Sequence, residues 1–328
     1  MAVLLPLLAI AVLLGLLAGA HELSLSRALS GLDPDATVLH KLRLPRVALA
    51  ALVGAALSVA GVALQALLRN PLADPFVFGL SGGAAIGIAL SALLPGAVIA
   101  TAGALTGVGL LPQQLFACAG ACGAAIFIFA IGRSGGQLVP ERALLVGVVF
   151  NSFASAFVIG LQAVVLPEKT QAILLWLSGT LGYETWSALT AAAVFVLVPT
   201  VALITLSGRL NLLQLGDEAA MSLGVDVARV RAFSFLCASA IVGAAVALTG
   251  LVGFVGLVVP HAVRLLVGGD HRVLLPTSAI GGAIFLVLCD AAARLMFRPF
   301  GIEPPVGAVT ALLGAPMFVL LLKRRGRV

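Results

Sequence analysis

Metal binding, nucleophilic catalysis, phosphate handling and proton relay each need particular side chains at particular spacings, and this chain offers few of them. The four histidines, His21, His40, His261 and His271, are scattered and show no ligand spacing. Cys118 and Cys122 lie one helical turn apart, as a metal or redox pair would, but no histidine or carboxylate stands near to complete a site. With Cys237 and Cys289 they sit inside apolar runs, where cysteine serves as a small packing residue. The three lysines, Lys41, Lys169 and Lys323, follow His, Glu and Leu, so the Gly-Lys-[Ser/Thr] loop that cradles phosphates is absent. The chain therefore does not hydrolyse ATP unaided, and no residue is expected to be catalytic. Acids inside apolar runs are almost lacking, which argues against a proton-coupled secondary transporter.

What must position the remaining polar residues is a membrane. Of 328 residues, 61% are hydrophobic and only 10% charged, against about 25% charged in an ordinary soluble domain. At ~20 residues per crossing, the length accommodates about ten spanning helices with short connections. The expected class is an all-α polytopic membrane protein, one transmembrane domain over residues 1–328. The apolar runs place spans at 3–20, 47–68, 80–111, 113–132, 143–166, 187–207, 232–250, 252–266, 273–297 and 305–322. The 80–111 run is too long for one straight span, and Pro95 is expected to bend or end it. The 252–266 run is short enough for a half-helix. Residues 172–178 suit a short helix at the membrane surface. The first twenty residues lack a basic leader and read as a retained span.

The net charge of +6 does not indicate nucleic acid, because the basic residues cluster in short loops and at the C-terminus. With both termini in the cytoplasm, twelve of the nineteen Lys and Arg fall inside and six outside, with Arg294 left in a helix. Lys41, Arg43 and Arg46 break that bias. Asp290 and Arg294, four residues apart, form either an intrahelical pair or a site whose arginine joins Arg43 and Arg46 at the outer mouth. An internal repeat adds order: VGAALSVAG at 53–61 and VGAAVALTG at 242–250 stand 189 residues apart, and the same offset carries Pro71 onto Pro260. Copies starting five spans apart run in opposite orientations, the inverted-repeat plan, with halves at about 42–166 and 231–322.

Two breaks around Pro71 and Pro260 read either as ordinary loops or as lining elements at the cytoplasmic mouth of a pathway. The largest cytoplasmic loop, 208–231, holds two short amphipathic stretches broken by Gly216 and Gly224, and Asp217 and Glu218 open the second. Its leucines, Leu210, Leu212, Leu213, Leu215 and Leu223, suit a groove on a soluble partner or a membrane surface.

Several segments, in order, carry a family resemblance. They are Leu42–Arg46, Gln65, Asn70–Pro75, Gly79–Ala84, Leu210–Leu212 with Gly216–Ala220 and Leu223–Gly224, Gly253–His261, Pro305–Gly307 and Gly314–Pro316. Over residues 42–322 the chain resembles the FecCD-type permeases, which import iron chelates, haem and vitamin B12. The resemblance implies a ten-helix subunit that pairs as a homodimer in a bacterial or archaeal cytoplasmic (inner) membrane. It also implies two cytoplasmic ATPase subunits that hold the ATP and magnesium, and a periplasmic or lipid-anchored binding protein. No cofactor is expected on this chain. By the same resemblance Arg43, Arg46 and Arg294 meet acidic residues of the binding protein. Leu210, Leu212, Gly216, Asp217, Glu218, Ala219, Ala220, Leu223 and Gly224 dock on the ATPase. Asn70, Pro71 and Leu72, with Pro140 and Glu141, contribute to a cytoplasmic gate. Vitamin B12 members carry a Thr-Ser pair where this chain has Pro140-Glu141, which favours an iron complex, siderophore or haem, over cobalamin. The competing expectation is an ATP-independent transporter or channel.

Overall fold

A computed structural model describes residues 3–19, 23–95, 112–297 and 301–325. Apolar runs become helices because a helix satisfies its own backbone polar groups, which lipid cannot do. Among the described residues the principal helices are α1 (Leu4–Leu17), α2 (Leu44–Leu68), α3 (Leu80–Leu93), α4 (Pro112–Gly132), α5 (Pro140–Gln162), α6 (Pro167–Leu177), α7 (Trp186–Thr205), α8 (Ser207–Leu213), α9 (Asp217–Ser222), α10 (Val227–Thr249), α11 (Val255–Val267), α12 (His271–Leu295) and α13 (Val306–Arg325). Among the described residues, six helical segments are long and apolar enough to cross a membrane, and four more are shorter apolar helices, α1, α3, α11 and the apolar part of α13. The protein is thus a helical, multi-pass membrane protein.

Helix ends fall where local chemistry requires. α3 stops two residues before Pro95, and the rest of the expected 80–111 span lies outside the described residues. α11 has only 13 residues, in keeping with the short run there. α6 covers all but the last residue of the short helix expected at 172–178 and begins earlier, at Pro167. The chain is not wholly α: Arg133–Ser134 and Gln137–Leu138 form a small antiparallel hairpin, turned by Gly135 (φ 58°) and Gly136 (φ 81°), the left-handed geometry a tight hairpin needs.

The core is built on α2, α10 and α12. Most of α2 and α10 is buried, whereas α4, α5 and α7 bury a third or less of their apolar windows. Small residues allow the closest approaches. A side chain on Gly54 would run into the Gly282 carbonyl of α12, and one on Gly61 into the Gly256 carbonyl of α11.

Pro260 departs from expectation. It lies inside α11 and is buried, not in a polar break. A helix-interior proline deprives the carbonyl four residues earlier of its donor, here that of Gly256. Gln65 of α2 stands in, its Nε2 donating to Gly256 O at 3.4 Å. Pro71, its counterpart at the 189-residue offset, sits in a non-helical turn. Gly61 likewise lies mid-helix while Gly250 caps α10 at φ 68°. The two repeat segments therefore differ in local conformation at those positions.

Candidate functional site

The segment 207–226 folds as α8 and α9, broken at Gly216 (φ 110°) and Gly224 (φ 81°), as their spacing implied. Its leucines divide in a way the sequence did not show. Leu210 and Leu213 are buried against the bundle, Leu212 is half-buried, and Leu215 and Leu223 are exposed. The expectation that all five face outward is corrected: α8 uses two of them as its own anchor. Ala220 is buried and Ala219 half-buried, while Glu218, Met221, Leu223 and Gly224 are exposed.

Asp217 is already engaged. It accepts from Arg69 and, at 2.8 Å, from Arg231. Arg69 ends α2 in the left-handed region (φ 48°), and its Nε donates to Leu213 O at 2.9 Å. One arginine thus fastens both short helices to the end of α2. Asn211 makes a second fastening: its Oδ1 accepts the His271 amide at 2.9 Å, and its Nδ2 donates to Asp270 at 2.6 Å. The Arg272 amide, and after it the Asn211 side chain, hold the Asp270 carboxyl below its ordinary range.

Beside this segment lie the expected gate residues. Asn70 Oδ1 accepts from the Leu72 amide at 2.9 Å, a turn that leaves the Leu72 side chain 42% exposed and Pro71 half-buried. Gln65 also donates to Ala73 O at 3.4 Å. Pro140 is buried at the start of α5, where its missing amide costs nothing, and Glu141 is exposed in that first turn. Among the described residues no hydrogen bond joins Pro140 or Glu141 to Asn70–Leu72. The tie from α5 comes from Asn151, which donates to Phe76 O at 2.8 Å and accepts from Gly82 N at 3.1 Å. Beside it is a cavity of about 510 Å³ whose polar lining is Ser81, Asn151, Ser155 and Gln162.

The far end of α12 gathers the three arginines around a pocket of about 320 Å³, with Tyr183 and Glu303. They come together, but not as the free external charges expected. Arg43, Arg46 and Arg294 are each 4–5% exposed. Asp290, fully buried, lies between Arg46 and Arg294 at 2.8 Å from each, and Glu303 also pairs with Arg46. Arg294 donates to Ala18 O at 2.8 Å and Arg43 to Leu17 O at 3.0 Å. Carbonyls at the end of α1 thus hold two of the guanidiniums. The intrahelical Asp290–Arg294 pair does form. Buried cations need such partners, and Glu303 is too distant in sequence for spacing to reveal it. Arg69, Arg231, Asn211 and Asn151 were likewise missed as fastening residues, because each partner lies in another element.

This arrangement has close relatives. The chain is 42% identical over 286 residues to the hemin transport system permease protein HmuU of Yersinia pestis, covering 87% of this chain and 82% of that one. It is 41% identical over 288 residues to the cobalamin import system permease protein BtuC of Halobacterium salinarum, covering 88% and 74%. A solved structure described as a metal-chelate type ABC transporter in an inward-facing conformation superposes with a TM-score of 0.82 at 32% identity, over 98% of this chain and 97% of the other. The model of the FecCD transport family matches residues 7–324, and on these grounds the chain belongs to the FecCD transport family.

Proposed function

We propose that the chain is the permease subunit of an ATP-driven importer carrying an iron complex, a ferric siderophore or haem, across the cytoplasmic membrane. The family match over nearly the whole length carries this reading. The chain itself is a permease and not an enzyme. Two separate cytoplasmic ATPase subunits hold ATP and magnesium, and a periplasmic or lipid-anchored protein delivers the substrate. Two copies of the chain form the pathway between them. Each contributes about ten spanning helices in an inverted repeat, with both termini in the cytoplasm, as the excess of basic residues on that side supports.

In this reading the exposed part of 210–224, led by Glu218 and Leu223, docks on the ATPase. Arg43, Arg46 and Arg294 receive acidic groups of the binding protein. Asn70–Leu72 and Pro140–Glu141 belong to the inner gate. ATP-driven closure of the partners tilts the bundle and alternates access. The second reading, cobalamin, is favoured by the 41% identity to a cobalamin permease; Pro140-Glu141, in place of the Thr-Ser pair, weighs towards iron.

Proteoliposomes containing the permease, its ATPase and its binding protein test both readings, offered haem, ferric siderophores and cobalamin in turn. Uptake of an iron complex that needs ATP and the ATPase is expected. Uptake by the permease alone would refute the importer assignment.

A further inference from the structure

Resting on that reading, we propose that Asn211 is a positioning residue that couples the ATPase-docking segment to α12, and through α12 to the arginine cluster at its opposite end. Nothing in the spacing of 208–231 singles this residue out; its contacts do. Asn211 sits in α8, which Leu210 and Leu213 anchor in the bundle. Its amide oxygen faces two donors of His271, the backbone N–H at 2.9 Å and Nδ1 at 2.7 Å. Its amide nitrogen donates to the Asp270 carboxylate at 2.6 Å. A backbone donor on one side and a carboxylate on the other fix the orientation of the amide.

The first backbone N–H groups of a helix have no partner within it. At the start of α12, Asp270 accepts that of Arg272 at 3.0 Å and Asn211 accepts that of His271. His271 is fully buried, so losing the Asn211 contacts while α8 stays packed would leave its N–H and ring nitrogen unpaired, a costly outcome. When α8 moves, the start of α12 moves with it.

α12 carries the displacement onward. Its 25 residues span about 37 Å at 1.5 Å per residue. Asp290 and Arg294, both buried, stand in its last two turns, bound to Arg46 and to the end of α1. Midway, Gly282 meets Gly54 of α2 backbone to backbone, a smooth seam of the kind that permits small shear movements. One helix thus touches both proposed partner surfaces, and Asn211 ties it to the inner one.

The test uses the full permease–ATPase complex in nanodiscs and measures binding-protein affinity with and without ATP and vanadate. Copurification of the ATPase serves as the control for assembly. Asn211→Ala and Asn211→Asp, the latter facing Asp270 with like charge, should each bring the nucleotide-dependent change in affinity to within twofold of none. The exchange Asn211→Asp with Asp270→Asn rebuilds the clamp with its polarity reversed, and Asn still caps α12; it should restore the wild-type ratio. Wild-type coupling in both single variants would overturn the proposal. So would loss of coupling that the exchange does not rescue, since that marks a merely structural site. If Asn211→Ala does not insert stably, Asn211→Asp against the exchange pair decides alone. Failure of the wild-type chain to bind any ATPase would instead defeat the function proposed above.

Discussion

Asp290 is the acid on which the arginine cluster at the far end of α12 turns. It is fully buried and shared by Arg46 and Arg294, so Asp290→Asn leaves two buried guanidiniums with Glu303 as their one carboxylate partner among the described residues. Breaking a buried pair from one side costs about 3–5 kcal/mol, and thermal unfolding in detergent should show a loss of that order. Glu303 differs, because its side chain is 34% exposed. Glu303→Gln should cost under about 1 kcal/mol, as partly solvated pairs do. It should also tighten binding-protein docking by freeing Arg46, measured as a lower Kd at low salt. A weaker Kd would mean that Glu303 is part of the docking surface. At the opposite end of the bundle, Asp217 and Glu218 separate on the same logic. Glu218 is exposed, whereas Asp217 is held by Arg69 and Arg231. Glu218→Arg should abolish ATPase copurification without loss of thermal stability, while Asp217→Asn should loosen the α8–α9 segment itself. Equal copurification of Glu218→Arg and wild type would remove that residue from the docking face.

At the scale of elements, the seams of the bundle are set by glycine. Gly54→Ala would push a methyl into the Gly282 carbonyl and part α2 from α12, at a cost of about 1–3 kcal/mol for overpacking. Gly123→Ala on α4, with nothing within contact distance, should leave the unfolding temperature unchanged or slightly raised, since alanine favours the helix. Equal effects of the two would mean that the seam tolerates separation. This scale was well represented in the sequence where the cause is local. Gly216 and Gly224 break the loop where read, Pro95 follows the end of α3, and the short run near 255 makes a short α11. It was poorly represented where the cause lies elsewhere. Pro260 continues a helix because Gln65, 195 positions earlier, supplies a donor to the carbonyl it orphans. Leu210 faces inward because a bundle is there to receive it. The arginines were found by type, but their burial depends on Glu303 and on the end of α1, which no spacing reveals.

At the scale of the whole molecule, apolar composition identifies the solvent but not which outer face meets lipid, the pathway or a second copy. The faces of α5 and α7 allow a distinction. The outer side of α7 carries Val194, Phe195, Leu197, Val198 and Val201, all exposed, and suits hydrocarbon. α5 also exposes Leu145, Val149 and Phe153, yet it turns Asn151, Ser155 and Gln162 towards the 510 Å³ cavity. The Ser155 hydroxyl is satisfied within the helix by Asn151 O at 2.9 Å, so lipid would tolerate it. The Asn151 amide is already partnered by Phe76 O and Gly82 N, so the cost in lipid falls on Gln162, whose amide is expensive there unless partnered. In the proposed dimer, a wet cavity between copies accounts for this side better than a lipid-facing one. With the native cysteines replaced, a cysteine at position 155 should therefore react with a water-soluble thiol reagent, and its rate should change when ATP and vanadate are added to the assembled transporter. A cysteine at position 198 on α7 should stay inert to that reagent in both states and react only with a lipid-soluble one. If positions 155 and 198 behaved alike, α5 would be an ordinary lipid-facing helix and the pathway would have to lie along another face.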